Sequence, residues 1–166
     1  MSHPLSTLGV IHTAVSLIPV LSGLYAFIRH RAIDPATRAG KLYLVGLVLS
    51  VATSFTVSST GGINPGHAFG VIVLLVAFGG VLAARLRWLG RAAPYASTFA
   101  LSFSFLLSLV PGVNETLTRV PAAHPIAAAP MAPVVLHTLL VCLVMFVIGV
   151  AAQCWRLRNR ALAGRS

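Results

Sequence analysis

Five long apolar runs free of Asp, Glu, Lys and Arg constrain this chain more than any other feature. They cover residues 8–28, 42–60, 63–84, 96–113 and 131–155. A helix needs about 20 apolar residues to cross the hydrocarbon core of a bilayer. A helix also satisfies its own backbone hydrogen bonds, which lipid cannot do. The runs therefore predict an all-α polytopic membrane protein, a bundle of five transmembrane helices in a single domain over residues 1–166.

The composition excludes several other classes of protein. Of the 166 residues, 57% are hydrophobic and 8% are charged, and the mean hydropathy is +0.92. Water-soluble domains carry about 25% charged residues, and disordered chains are polar. The formal net charge of +10 would indicate nucleic-acid binding in a soluble protein. Here the charges stand in clusters between the apolar runs, so we expect the lipid bilayer as partner and no nucleic acid.

The distribution of basic residues predicts the orientation. They are Arg29, Arg31, Arg38, Lys41, Arg85, Arg87, Arg91, Arg119, Arg156, Arg158, Arg160 and Arg165. Cytoplasmic loops are enriched in Lys and Arg. Eleven of the twelve fall on one side if the N-terminus lies outside and the C-terminus in the cytoplasm. The preference for Arg over Lys suggests a GC-rich bacterial genome, so we expect the bacterial cytoplasmic (inner) membrane.

Small and hydroxyl residues recur at helical spacing within the runs. In the second run Gly46, Ser50, Ser54 and Ser58 stand four residues apart, and glycines recur in the same way in the third. Such residues let membrane helices approach closely. The second run also holds seven hydroxyl residues between positions 50 and 60. The pattern therefore has two interpretations, which are helix contact and a polar path through the bundle.

Three histidines fall at a similar predicted depth. His12, His67 and His137 precede the first Arg after their runs by 17 to 19 residues, which is a difference of about 3 Å along a helix. Ser58 and Ser108 lie at the same level on the antiparallel runs. His12 shares a helical face with small and polar residues, and His67 shares one with Asn64. We therefore expect His12 and His67 to point into the bundle, whereas the pattern around His137 leaves its direction open.

The histidine layer has several possible uses. Neutral imidazoles can bind a transition metal such as Zn²⁺ or copper, and two of them can ligate a b-type haem. They can also relay protons or gate a solute, or simply make hydrogen bonds between helices. The sequence contains no catalytic motif, so it predicts no catalytic residue and favours a protein that is not an enzyme.

The segment between the fourth and fifth runs holds one acid, Glu115, and one base, Arg119. At a spacing of four these residues can pair on a short helix. A second interpretation makes the segment a lid over the histidine layer, with Glu115 as a further ligand or proton acceptor. Residues 122–133 are rich in Ala and Pro and are expected to be extended.

Two short stretches carry a resemblance to a known family. Gly40-Lys41-Leu42-Tyr43 opens the second run, and Glu115-Thr116-Leu117-Thr118-Arg119-Val120-Pro121 follows the fourth. Together with the histidine of the first run, they resemble uncharacterised bacterial multi-pass membrane proteins, a domain of unknown function with a GRLY-type start to the second helix. The resemblance implies the fold and the membrane location, and it implies no chemistry.

The leading functional hypothesis is a binding protein with a histidine-lined pocket in the outer leaflet for a metal ion or haem. Its ligands would be His12, His67 and His137, supported by the polar residues Ser58, Ser108, Asn64, Glu115 and Arg119. Two alternatives stay open, namely a small transporter or proton-coupled carrier and a structural subunit of a larger membrane complex. The last would require a second copy of the chain or a partner membrane subunit.

Overall fold

The computed structural model describes residues 7–57, 65–121 and 123–164. Five α-helices follow one another: α1 (Thr7–His30), α2 (Arg38–Ser54), α3 (Pro65–Ala83), α4 (Ala93–Arg119) and α5 (Pro133–Ala163). Short 3₁₀ helices, Phe55–Val57 and Arg87–Ala92, follow α2 and precede α4. Five helical segments are long and apolar enough to cross a membrane. The predicted all-α architecture is confirmed, and no β-strand occurs among the residues described.

The turn between α1 and α2 is held by local hydrogen bonds. Arg31, directly after α1, has a positive φ of 66°, and its N–H donates to the carbonyl of Phe27 at 3.0 Å. Thr37 caps α2, with its Oγ1 accepting from the N–H of Gly40 at 3.0 Å. An N-cap side chain satisfies one of the free N–H groups of the first helical turn. These bonds set α1 and α2 antiparallel, with Arg29 and Arg38 at the same end.

Two helices extend well beyond the predicted runs. The fourth run was predicted to end at residue 113, but α4 continues through Pro111 to Arg119. The fifth was predicted to end at 155, but α5 continues to Ala163. A run of apolar residues marks only the part of a helix that lies in hydrocarbon. A helix can continue with polar residues past that region, so the apolar criterion stops too early.

The helices are arranged as two closely packed pairs with α5 at the edge. α1 packs mainly on α2, α3 packs mainly on α4, and α5 packs on α4. The buried core between the pairs is formed by Ala26, Tyr43, Leu47, Val73, Ala77 and Leu101. Val135 and Gln153 are the buried residues of α5, so most of this helix faces outward.

Glycines mark the closest helix approaches, as the small-residue pattern predicts. A Cβ added to Gly46 of α2 would lie 2.7 Å from Cγ2 of Ile18 and 2.9 Å from Cδ of Pro19, both on α1. A Cβ on Gly80 of α3 would lie 3.0 Å from the Cβ of Ala100 on α4. Gly79 has no such neighbour within 4 Å. The interpretation of Gly46 as a contact residue is therefore confirmed, while Gly79 lies outside the contact.

Candidate functional site

His12 of α1 bonds to α2 near the end of the bundle opposite the arginine clusters. Its Nδ1 lies 2.9 Å from Oγ1 of Thr53. The imidazole is half-buried, and Gly9, Pro19 and Gly23 on the same helical face are buried. The prediction that His12 points into the bundle is confirmed.

The Thr53 hydroxyl also contacts two carbonyls of its own helix. Its oxygen lies 2.9 Å from the carbonyl oxygen of Leu49 and 3.0 Å from that of Ser50. A hydroxyl has one hydrogen and can accept two further bonds. The bond between His12 and Thr53 therefore runs in either direction, according to the tautomer of the imidazole.

A second bond joins the same two helices one turn closer to the arginine-bearing end. Oγ of Ser16 on α1 lies 2.7 Å from Oγ of Ser50 on α2. The two bonded pairs, His12 with Thr53 and Ser16 with Ser50, lie one turn apart between α1 and α2, and we call these four side chains the α1–α2 polar seam. Each hydroxyl can donate one bond and accept two, so these groups can also bond to a polar solute.

His67 bonds to Ser54, the residue that follows Thr53 in α2, and is almost completely buried. It is 4% exposed, and its Nε2 lies 3.1 Å from the backbone carbonyl of Ser54. Since a carbonyl can only accept, Nε2–H donates. The ring also stacks on Phe55 at 4.4 Å between centroids and 15° between planes. The prediction that His67 points into the bundle is confirmed, and both histidines are held by consecutive residues of α2.

Glu115 and Arg119 lie in the last turn of α4 and form a salt bridge. Arg119 Nε and Glu115 Oε2 are 2.5 Å apart, with both side chains more than half exposed. The predicted pairing is confirmed, although it occurs on α4 itself and not on a separate short helix. Next to Glu115 in the chain, Oδ1 of Asn114 is buried and has no hydrogen-bond partner among the residues described.

The structure does not bring the three histidines together. Among the residues described, no group of three His, Cys, Asp or Glu side chains could hold a metal ion. His137 is exposed on α5, because that helix lies at the edge of the bundle and turns most of its surface outward. Ser108 donates to the carbonyl of Phe105 in its own helix at 2.7 Å. Ser58 and Asn64, the remaining supporting residues, lie outside the described residues.

The segment after α4 folds back on that helix and is not simply extended. The Ala127 N–H donates to the Leu117 carbonyl at 2.8 Å, and Ala127 is buried. Bends and turns occupy most of residues 123–132, while Ala132 is extended. The expected extended conformation therefore does not run through the whole segment, in which a backbone bond joins Ala127 to α4.

Sequence reasoning did not single out Ser16, Thr53 or Gln153. Thr53 belongs to the hydroxyl-rich part of the second run. The sequence therefore indicated a polar residue at this position, but it did not indicate the residue to which Thr53 bonds. Ser16 shares the face of His12, four residues away, which is the signal that could have found it. Gln153 is a lone amide in the most apolar run, and such a residue in a membrane helix usually bonds to a neighbouring helix.

Comparison with known proteins returned no relative. The chain matches no family model, no curated protein and no solved structure. The resemblance to the GRLY-type family stays a prediction from the sequence. Function is therefore argued from the residues and their geometry.

Proposed function

We propose that this chain is a small proton-coupled carrier or proton-conducting protein of the bacterial cytoplasmic membrane. Its N-terminus would lie outside, which sets the α1–α2 polar seam in the outer leaflet. The observation that carries the proposal is the pair of successive bonds across this seam, His12 to Thr53 at 2.9 Å and Ser16 to Ser50 at 2.7 Å.

His12 is the group suited to take up a proton. Histidine is the side chain that normally changes charge between pH 5 and 8. An ionisable residue within a membrane helix is costly and usually serves function. In the neutral imidazole one ring nitrogen carries a lone pair that can accept a proton.

The hydroxyl groups supply the next steps inward. Ser50 and Ser16 can each reverse the direction of their shared bond, because a hydroxyl both donates and accepts. Further toward the arginine-bearing end, the Tyr43 hydroxyl lies 2.8 Å from Oγ of Ser104. In this proposal the two levels of polar groups form the outer and inner parts of one path. Movement of α1 against α2 would connect them.

A second candidate function is binding of a metal ion or haem. It is supported by the hydrogen bonds that orient His12 and His67. Each of His12 and His67 bonds to α2 through one ring nitrogen, His12 to a hydroxyl and His67 to a carbonyl. Metal-ligating histidines are normally oriented by such a bond from the second ring nitrogen. Elemental analysis and the Soret absorption of purified protein test this candidate. Bound metal or haem that decreases in both His12→Ala and His67→Ala would favour it.

The carrier proposal is tested with protein reconstituted into liposomes that contain a pH-sensitive dye. A potassium gradient with valinomycin drives protons inward, and the rate of acidification is measured. The wild type should acidify the lumen faster than protein-free liposomes do, and His12→Ala should fall to the protein-free rate. His137→Ala is the matched control, because this histidine is exposed on α5 and should leave the rate unchanged.

Two further variants distinguish the loss of a bond in the α1–α2 polar seam from a general loss of folding. Thr53→Val keeps the side-chain shape but removes the bond to His12, and it should slow acidification without changing the thermal unfolding midpoint by more than a few degrees. Ser50→Ala should act in the same direction. If a folded His12→Ala variant acidifies as fast as the wild type, the proposal is overturned.

A further inference from the structure

A groove lies at the arginine-bearing end of the bundle, between the start of α4 and the end of α5. Its volume is about 430 Å³. Arg91 and Tyr95 line it from the α4 side, and Leu157, Arg158 and Leu162 line it from α5. Two guanidinium groups from different helices therefore share one groove with apolar walls.

The chain turns sharply at the start of α4. Gly90 has φ 49° and ψ −121°, a conformation that L-residues rarely adopt. The first turn of α4 has no acidic residue. Its Ala93 N–H donates to the carbonyl of Gly90, and Pro94 has no N–H. The positive charge at this groove therefore comes from Arg91 and Arg158.

Among the residues described, no acidic side chain forms a salt bridge with Arg91 or Arg158. The chain contains two acidic residues, Asp34 and Glu115. Glu115 is bonded to Arg119 near the opposite end of α4. Asp34 accepts the N–H of Ala36 at 2.8 Å, and within the described ranges the ion pair found is Arg119–Glu115. Two neighbouring guanidinium groups repel each other, so an external anion between them would lower the electrostatic energy.

The apolar walls distinguish a lipid from a soluble anion. Leu157 and Leu162 flank Arg158 on α5, and Leu162 is more than half exposed. Trp88 and Trp155, near the same ends of α4 and α5, are also exposed, and tryptophan is enriched where membrane meets water. A guanidinium matches a phosphate with two parallel bonds, while leucines match an acyl chain.

We propose that this groove binds an anionic phospholipid. Its phosphate would lie between Arg91 and Arg158, with the Tyr95 hydroxyl as a further donor and the first part of an acyl chain against Leu157. Basic sites between membrane helices bind anionic lipid headgroups in this way. The lipid would bridge α4 and α5, where α5 otherwise has few buried residues. The inference does not depend on the carrier proposal, since no residue of the α1–α2 polar seam takes part.

The experiment uses the full-length protein purified in zwitterionic phosphatidylcholine. Native mass spectrometry counts retained lipids, and thermal unfolding is followed as phosphatidylglycerol, phosphatidylcholine, glycerol 3-phosphate or inorganic phosphate is added. Phosphatidylglycerol should be retained and should raise the unfolding midpoint, whereas the other three should not. The same shift with inorganic phosphate would indicate a soluble-anion site and overturn the lipid assignment.

Variants locate the site. Arg91→Gln and Arg158→Gln should each weaken phosphatidylglycerol binding about fivefold, the factor expected for one basic residue at an anionic membrane surface. Arg156→Gln and Arg160→Gln are matched controls, because they remove the same charge from α5 outside the groove, and they should bind more tightly than the groove variants.

Folding of each variant is checked separately in phosphatidylcholine, where its unfolding midpoint should equal that of the wild type. Arg158→Lys, which keeps the charge, should retain more lipid than Arg158→Gln. Retention of phosphatidylglycerol by the Arg91→Gln/Arg158→Gln double variant at the wild-type level would overturn the proposal. Equal retention of phosphatidylcholine by the wild type would do the same.

Discussion

The side-chain amide of Gln153 donates to the backbone carbonyl of Arg31 at 3.1 Å, which joins α5 to the end of α1. The other end of the same amide, Oε1, accepts from the hydroxyl of Ser102 on α4 at 2.9 Å. Gln153 is 7% exposed. One side chain therefore ties the edge helix to two others.

Replacing Gln153 by Leu should loosen α5. Two interhelical hydrogen bonds are lost, each worth about 0.6 kcal/mol in membrane proteins, so we expect destabilisation by about 1 kcal/mol. Unfolding in mixed micelles with increasing dodecyl sulfate measures the loss. Thr138→Val is the control on α5, since Thr138 bonds only to the carbonyl of Val134 in its own helix. A Gln153→Leu variant as stable as the control would show that the amide does not hold α5.

Adding a methyl group at Gly46 should separate α1 from α2. The new Cβ would come within 3.0 Å of Ile18 and Pro19, and overpacking of this kind costs about 1–3 kcal/mol. Gly46→Ala should therefore lower the unfolding midpoint. Gly79→Ala is the matched control on α3, because nothing lies within 4 Å of its added Cβ, and it should be neutral or slightly stabilising. The packing argument fails if both variants shift the midpoint equally.

The bond between Tyr43 and Ser104 should make a measurable contribution to stability. Both residues are fully buried, and their hydroxyl oxygens are 2.8 Å apart. Ser104 also lies 2.8 Å from the carbonyl of Leu101, to which it can donate. A double-mutant cycle with Tyr43→Phe and Ser104→Ala should give a coupling energy of about 0.6–1.7 kcal/mol. A coupling indistinguishable from zero would contradict the assigned bond.

The proposed orientation places Arg38 and Arg119 on opposite sides of the membrane. In a Cys142→Ala/Cys154→Ala background, Arg119→Cys should react with a membrane-impermeant maleimide in intact cells. Arg38→Cys should react only after the cells are opened. The distribution of basic residues is the physical reason, since Lys and Arg are retained on the cytoplasmic side. The opposite labelling pattern would reverse the orientation and place the α1–α2 polar seam in the inner leaflet.

Helical periodicity was sufficient to predict which way His12 and His67 point. Residues three and four apart share a face, so small neighbours around His12 indicated a helix contact. The number of residues between a histidine and the next Arg predicts only how deep the histidine lies in the membrane. It does not predict whether the side chain points toward the other helices or away from them. His137 lies at a matching sequence distance but on an exposed face of α5, so the common level did not imply a common site.

The sequence did not predict which residues of different helices form hydrogen bonds with each other. The hydroxyl-rich run contains Ser50 and Thr53, yet their bonds to Ser16 and His12 depend on register and rotation between helices. These are determined by close contacts such as Gly46 against Pro19. Composition predicts that such contacts exist, but it does not predict which residues form them.

The position of α5 at the edge has a consequence for how the protein is made. With 31 residues, it is about 46 Å long, longer than the hydrocarbon core of about 30 Å. It is apolar enough to be stable in lipid by itself, and it has only two buried residues. We therefore expect α5 to be able to insert before it packs on the bundle, with the bonds of Gln153 formed when it packs.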